Sequence, residues 1–418
     1  MKTVGIIAEY NPFHTGHKYH IQKAKKETGA DYVVVVMSPE FVQRGEPAIF
    51  DKYTRTRMAL LSGADLVLQL PVCYATGSAE YFAGGAVSLL DSLGIIDVLC
   101  FGSESDDISL FQSVSEILNQ EPEEYSFKLK ELLRLGYTYP KARSEALTAY
   151  LSDKYSSSIT EFLSTPNNIL GIEYFRALHK RGSQIKPFPI SRIVSEYNST
   201  LLNGQYASAT AIRSGLAHGS VSDRLLPYIP DECIDIFLSA SKTPVSLHDF
   251  SLLISQKLIY EHNFSSILDI SPDLSDRIIS LRNRSIGCSF EEVISILKTK
   301  QITEARIRRA LLHLLLGISS DSAEKFRKAG TVFYARILGF RKTASPLLHE
   351  LKLHSSVSVI SKNAAAESLL SKSEILNPAP AVHMWQQDLQ AAHLYYAASA
   401  LKYQTPFHTE YEKSPIVL

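Results

Sequence analysis

Four short apolar runs, spaced by helix-length segments, limit what the first hundred residues can fold into. Tyr32 to Met37 carries four consecutive valines, Val33 to Val36; Val4 to Ala8, Leu66 to Leu70 and Val98 to Phe101 are the other three. A run without alternation suits a strand covered on both faces, as in a parallel sheet, better than a strand with one wet face. Between the runs lie His17 to Glu27, Lys52 to Ser62 and Ser78 to Leu93, each long enough for a helix. This β-α-β-α order predicts an open, doubly wound parallel sheet. Ligands of such sheets bind beyond the carboxyl ends of the strands, so the loops leaving the strands are where chemistry is expected.

The rest of the chain reads differently. Ser105 to Glu124 turns acidic, with helical character continuing to about Tyr150, and Ile185 to Arg192, with Pro187 and Pro189, reads as an extended or edge segment. Pro227, Pro230 and Pro244 mark a boundary. Beyond it the strand signal fades, and Phe250 to Tyr260, Phe290 to Lys298, Thr303 to Leu316 and Asp388 to Leu401 carry helical apolar spacing. A chain of 418 residues has room for two or three domains. The expected division is an α/β domain over residues 1–220 and a mainly α-helical domain over 221–418. Cys73, Cys100, Cys233 and Cys288 have no CxxC spacing and read as reduced thiols. No stretch approaches 18 apolar residues and the N-terminal run is broken by Glu9, so neither a membrane span nor a signal peptide is expected. Cytoplasm is the expected compartment.

The loop after the first strand is Glu9-Tyr10-Asn11-Pro12-Phe13-His14-Thr15-Gly16-His17. Gly16 allows close backbone approach at the start of a helix whose free N–H groups favour phosphate oxygens. His14 and His17, three residues apart, can face the same way and donate to phosphate. Nucleotidyl transfer needs that: in-line attack on an α-phosphate, catalysed by positioning and by neutralising developing charge. The competing readings are a zinc pair, for which no third ligand has a completing spacing, and ordinary surface or core histidines. The strand–loop–helix position favours phosphate chemistry.

A second signal is Ser208-Ala209-Thr210-Ala211-Ile212-Arg213-Ser214. Ser208 and Thr210 can cap a helix, and Arg213 in its first turn can reach β- and γ-phosphates. Taken alone it also reads as a capped helix whose Arg faces water. Gln43-Arg44-Gly45-Glu46 follows the second strand and either covers the same crevice, with Arg44 as a carboxylate or phosphate partner, or is a solvated loop. Trp385, the only tryptophan, reads as core before it reads as a base-stacking platform.

His14-Thr15-Gly16-His17 and Ser208-Ala209-Thr210-Ala211-Ile212-Arg213 together resemble the HxGH and SxTxIR pair of the α/β nucleotidyltransferase superfamily. The run Gly5 to His17, with Met37-Ser38, Phe41 to Ala48 and Pro166 to Tyr174, resembles more narrowly the bacterial tRNA(Met) cytidine acetate ligase family. The resemblance is specific from Met1 to about Gly215 and looser beyond. It implies a Rossmann-like nucleotidyltransferase domain, with a helical domain that binds tRNA. It also implies a two-step reaction in which ATP and acetate give acetyl-adenylate, and the acetyl group then passes to N4 of the wobble cytidine of elongator tRNA(Met).

By that resemblance the ATP site comprises Ile7, Ala8, Glu9, Tyr10, Asn11, Pro12, Phe13, His14, Thr15, Gly16, His17, Lys18, Tyr19 and His20, with Gly102, Asn167, Arg192, Ser208 and Thr210. The catalytic residues are His14, His17 and Arg213. Gly102, just past its strand, would let adenosine approach a bare backbone; Asn167 would bind ribose or base, and Arg192 would clamp phosphate or the anhydride carbonyl. Gly102 as a plain turn and Asn168 as a helix cap are the bland alternatives. Ile193-Val194-Ser195-Glu196-Tyr197 departs from the family's small, glycine-containing stretch, which bears on how closely that loop covers the adenylate. ATP is the expected co-substrate and Mg²⁺ its expected companion, but no carboxylate cluster names a ligand and no metal residue is assigned. Two other readings stand beside the ligase. One is a small-molecule adenylyltransferase acting on a phosphorylated acceptor, which leaves the helical half unexplained. The other is a non-catalytic RNA-binding protein that keeps an ATP pocket.

Charge bears on the partner. The chain's 43 Lys+Arg and 43 Asp+Glu cancel, but their distribution does not. Arg277 to Lys342 holds 14 basic and 5 acidic residues, whereas Glu104 to Glu131 holds 8 acidic and 2 basic. The basic segment has the size an RNA backbone calls for, and Arg282, Arg284, Arg306, Arg308 and Arg309 are its candidate tRNA contacts. A solvated helical face is the alternative. Oligomeric state is not legible.

Overall fold

The computed structural model describes residues 1–151, 158–191, 207–217, 224–372 and 378–418. Its strands are β1 (Thr3–Ala8), β2 (Tyr32–Met37), β3 (Phe41–Val42), β4 (Glu46–Pro47), β5 (Leu66–Gln69), β6 (Val98–Ser103), β7 (Lys186–Ser191), β8 (Tyr334–Phe340), β9 (Ser358–Ile360) and β10 (Ile416–Val417). The four expected apolar runs are β1, β2, β5 and β6, and they pair parallel. The main sheet runs β10-β8-β5-β2-β1-β6-β7, with β9 also on β8; β3 and β4 form a separate hairpin.

Alternation within each strand explains why the runs are apolar throughout. Val34, Val36, Leu66, Leu68, Leu99 and Phe101 join one core, beneath the helices Ala79–Ser92 and Pro166–Arg181. Val33, Val35, Met37, Val67, Val98 and Cys100 join the other, beneath Thr15–Thr28 and Lys52–Leu61. Both faces are dry, and each fully buried valine adds about 1.5–3 kcal/mol that a one-sided strand would forgo. Pro187 and Pro189 lie on β7, which ends the sheet, where a missing N–H interrupts no central ladder. Trp385 is fully buried, its ring under the Arg336 guanidinium.

The second half is mainly helical as expected, yet it also returns three strands to the sheet. β8 runs antiparallel along β5, and β9 and β10 pair parallel with β8. The strand signal is broken there by Arg336 and Gly339. Arg336 is nonetheless buried, because Glu410 from the C-terminal segment ion-pairs with it; Glu410 also meets Lys52 at 3.1 Å, and Lys52 meets Glu40 at 3.1 Å. A charge inside a strand is tolerated when it is paired and hydrogen-bonded, and composition alone cannot reveal the partner. The helix expected over Asp388 to Leu401 is longer, Pro378–Tyr403.

Candidate active site

β1 lies between β2 and β6, and the chain leaves β1 toward β2 before returning on its other side as β6. That reversal is the topological switch point, where crossover loops diverge and leave a crevice. A cavity of about 250 Å³ opens there. Its floor is Ile7 to Asn11, leaving β1, and Phe101-Gly102 of β6; the helix starts at Thr15 and Ala209 bring His14, His17, Ser208, Thr210 and Arg213 to its walls. The two motifs, almost two hundred residues apart in sequence, therefore meet across one space.

Local backbone chemistry fixes the two histidines. His14 is the N-cap of the helix Thr15–Thr28, and its Nδ1 accepts from the Gly16 amide at 3.1 Å. His17, three residues on, returns the contact: its Nδ1 accepts from the His14 amide at 3.3 Å. The rings lie 3.7 Å apart between centroids, inclined at 30°. Such a reciprocal capping box is usually built from Ser or Thr with Glu. Made from two neutral imidazoles, it commits both Nδ1 atoms as acceptors and puts both ring protons on Nε2. Just before it, Tyr10 adopts φ 52°, a left-handed conformation costly for a non-glycine residue, with its ring buried against Phe13 and His17.

On the facing wall Ser208 caps the second helix, its Oγ accepting from the Ala211 amide at 3.0 Å. Arg213 sits one turn further in than expected. Its Nη1 donates to the Asn11 carbonyl at 2.6 Å and its Nη2 lies 3.2 Å from Glu46 Oε1, so it ties the β1 loop to the hairpin. Gly102 lies within β6, paired in register with Ile190, and not past the strand end. Of the asparagine pair, Asn167 lines the cavity. Asn168 is buried, accepting at Oδ1 from Ser103 Oγ at 2.6 Å and donating to the Phe162 carbonyl, which is a bracing role. Tyr19 and His20 also line the cavity; Pro12, Phe13, Thr15 and Lys18 do not. Phe13 is buried, and Lys18 pairs with Glu232 at 2.8 Å. Arg192 and Ile193 to Tyr197 lie outside the described residues.

Gln43 and Arg44, at the tip of the β3–β4 hairpin, line the cavity. Leu170 and Tyr174, from the Pro166 to Tyr174 stretch, also line it, as does Phe82, for which the sequence offers no sign because it reads as helix core. Arg55 likewise carries no signal in the sequence. It is fully buried and donates to the carbonyls of Phe50, Glu9 and Ser38 at 2.6–2.9 Å, and to Pro39. One guanidinium thus holds the loops leaving β1 and β2. Glu9 lines the cavity, with its Oε1 accepting from the Gln43 amide at 2.8 Å. Burial pushes its pKa up, against the lowering influence of that amide, Arg44 and Arg213.

A family model described as HIGH Nucleotidyl Transferase matches residues 1–409. A tRNA(Met) cytidine acetate ligase of Clostridium kluyveri is 41% identical over 426 residues, covering 100% of this chain and 99% of that one. The chain belongs to the tRNA(Met) cytidine acetate ligase family. The apo crystal structure of Thermotoga maritima TmcAL, 32% identical, superposes with a TM-score of 0.94 over 100% of both chains. The same enzyme bound with alpha-thio ATP superposes at 0.91, also 32% identical over 100% of both chains.

For a tRNA-modifying ligase the basic segment matters, and its arginines differ in their freedom. Arg284 is exposed, on the last turn of the helix Pro272–Ser285. Arg282 donates to the Glu261 carbonyl and stacks on Phe264. Arg306 donates to the Asp269 carbonyl at 3.3 Å, Arg308 pairs with Glu304 at 2.8 Å, and Arg309 pairs with Asp269 at 3.0 Å. Gly45, at φ +77°, packs so tightly on the helix Glu304–Leu316, which carries these last three arginines, that a Cβ there would lie 2.6 Å from the Arg309 amide. The hairpin over the cavity and the basic helix are therefore in direct contact. Among the described residues no group of three metal-ligating side chains gathers, so no residue is assigned to Mg²⁺, and no helix is long and apolar enough to cross a membrane.

Proposed function

We propose that this ligase activates acetate with ATP as acetyl-adenylate, releasing pyrophosphate, and transfers the acetyl group to N4 of the wobble cytidine of elongator tRNA(Met). The observation that carries the reading is the meeting of the two motifs across one cavity, in a chain that matches its family from end to end. The Nε2–H groups of His14 and His17 and the amides of the helix start neutralise charge on the α-phosphate as acetate oxygen attacks. Arg213 exchanges Glu46 for the departing pyrophosphate, and Arg44 pairs with the acetate carboxylate or a phosphate. Adenosine lies against Gly102, with Asn167 on ribose or base. Arg192 completes the phosphate clamp. Residues 221–418 supply the tRNA surface through Arg284 and its neighbours. Mg²⁺ enters on the ATP phosphates as part of the substrate, and the setting is cytoplasmic.

The test is incubation with ATP, labelled acetate and total tRNA, followed by nucleoside analysis. Label in N4-acetylcytidine of elongator tRNA(Met), dependent on ATP, is expected. A folded, ATP-binding protein that labels no cytidine would overturn the reading.

A further inference from the structure

The cavity contains one charge that ATP's phosphates do not call for, the Glu9 carboxylate within the stretch that resembles an ATP site. Its polar walls are mostly donors and neutral groups, yet Glu9 is the only carboxylate lining it among the described residues. A carboxylate beside phosphates weakens anion binding, so its position calls for a different partner. The hairpin amide of Gln43 holds Oε1 at 2.8 Å, and Arg55 holds the Glu9 backbone carbonyl at 2.6 Å, so the residue is fixed at its carboxylate and at its main chain. The charged and titratable groups around it are Arg44 and Glu46 on the hairpin, Arg213 on the second motif's helix, Arg55 on its own backbone carbonyl, and His14, His17 and His20 with Tyr10, Tyr19 and Tyr174 lining the same cavity.

The second reaction step brings in one polar group that a carboxylate suits. The exocyclic amine of cytosine is a hydrogen-bond donor, and Glu or Asp is its natural acceptor. That amine is also a poor nucleophile, because its lone pair is delocalised into the ring, and it must lose a proton as it attacks. We propose that Glu9 is the catalytic base of acetyl transfer, accepting a hydrogen bond from the cytidine N4 amine and taking its proton. The N4–C bond to the acetyl carbonyl carbon forms and the acyl C–O bond to the adenylate phosphate breaks. AMP leaves with that bond's electron pair, and the N4 proton moves to the Glu9 carboxylate before release to solvent. Burial, which raises the Glu9 pKa, makes it a stronger base than an exposed carboxylate.

This inference rests on the proposed ligase reaction, and the test separates the two. Acetate-dependent ATP–pyrophosphate exchange reports activation, and single-turnover acetylation of tRNA reports transfer. In Glu9→Gln, transfer is expected to fall about 100-fold or more, while exchange falls far less. The parent's transfer rate is expected to fall on the acidic side of its pH profile, and that limb is expected to be absent from Glu9→Gln. Glu9→Asp, which keeps a base but withdraws it by one methylene, retains that limb at a reduced rate. Equal losses of exchange and transfer in Glu9→Gln, or an acidic limb that survives it, would overturn the assignment. If Glu9→Gln fails to fold, Glu9→Asp transferring at the parent's rate relative to exchange would overturn it equally. A parent protein that acetylates no cytidine would instead contradict the ligase reading itself.

Discussion

His14 performs two tasks with one ring, and they can be separated. Its Nδ1 caps a helix, worth about 1 kcal/mol, while the same residue lines the cavity. His14→Ala should therefore cost roughly 1 kcal/mol in urea unfolding but lower acetate-dependent pyrophosphate exchange by about 100- to 1,000-fold. A rate loss no larger than the stability loss accounts for would assign the residue to structure alone. Arg55 is the opposite case, a residue that touches no substrate yet holds the loops that do. Arg55→Met would strand the carbonyls of Glu9, Ser38, Pro39 and Phe50, and a loss of about 3–5 kcal/mol is expected in denaturant titration. The HxGH and SxTxIR residues were legible because their types and spacing state their chemistry. Arg55 was not, because a lone arginine inside a helical segment reads as solvated until its carbonyl partners are known.

At the scale of elements, the valine runs announced the sheet, since strands buried on both faces need apolar side chains on both. β8 was hidden because Arg336 breaks the pattern, and its counter-charge, Glu410, lies far along the chain. That buried cluster gives a pH dependence. Burial alone would raise the Glu410 pKa, but Lys52 and Arg336 outweigh it and hold the carboxyl at about 2, against its ordinary 4.5. Its contribution is fully present above pH 4.5 and is lost as pH falls toward 2. Glu410→Gln should thus be less stable than the parent by about 3–5 kcal/mol near neutrality, with the gap narrowing as unfolding is repeated at successively lower pH below 4.5. A gap that stays constant would show that the ion pairs are not its source. The hairpin–helix contact is equally specific. Gly45→Ala would push a Cβ into the Arg308–Arg309 backbone at an unfavourable φ, so both melting temperature and activity should fall.

Across the whole molecule, the zero net charge conceals a division between an acidic helical segment and a basic one. Part of the basic excess is internal: Arg336 is buried, and Arg308 and Arg309 are ion-paired. Sequence counting cannot separate such charges from those left to meet RNA, because pairing depends on the fold. Reversing Arg284 and Arg306 together should weaken tRNA binding and flatten its salt dependence, while acetate-dependent pyrophosphate exchange stays near the parent's rate. Loss of exchange in that variant would place those residues in the activation step. The central claim is that one cavity joins ATP, acetate and a tRNA cytidine, and its most direct measurement is ATP-dependent transfer of labelled acetate to tRNA. Label confined to N4-acetylcytidine of elongator tRNA(Met) is the predicted result. Pyrophosphate release with no acetylated cytidine, from folded protein supplied with that tRNA, would contradict it.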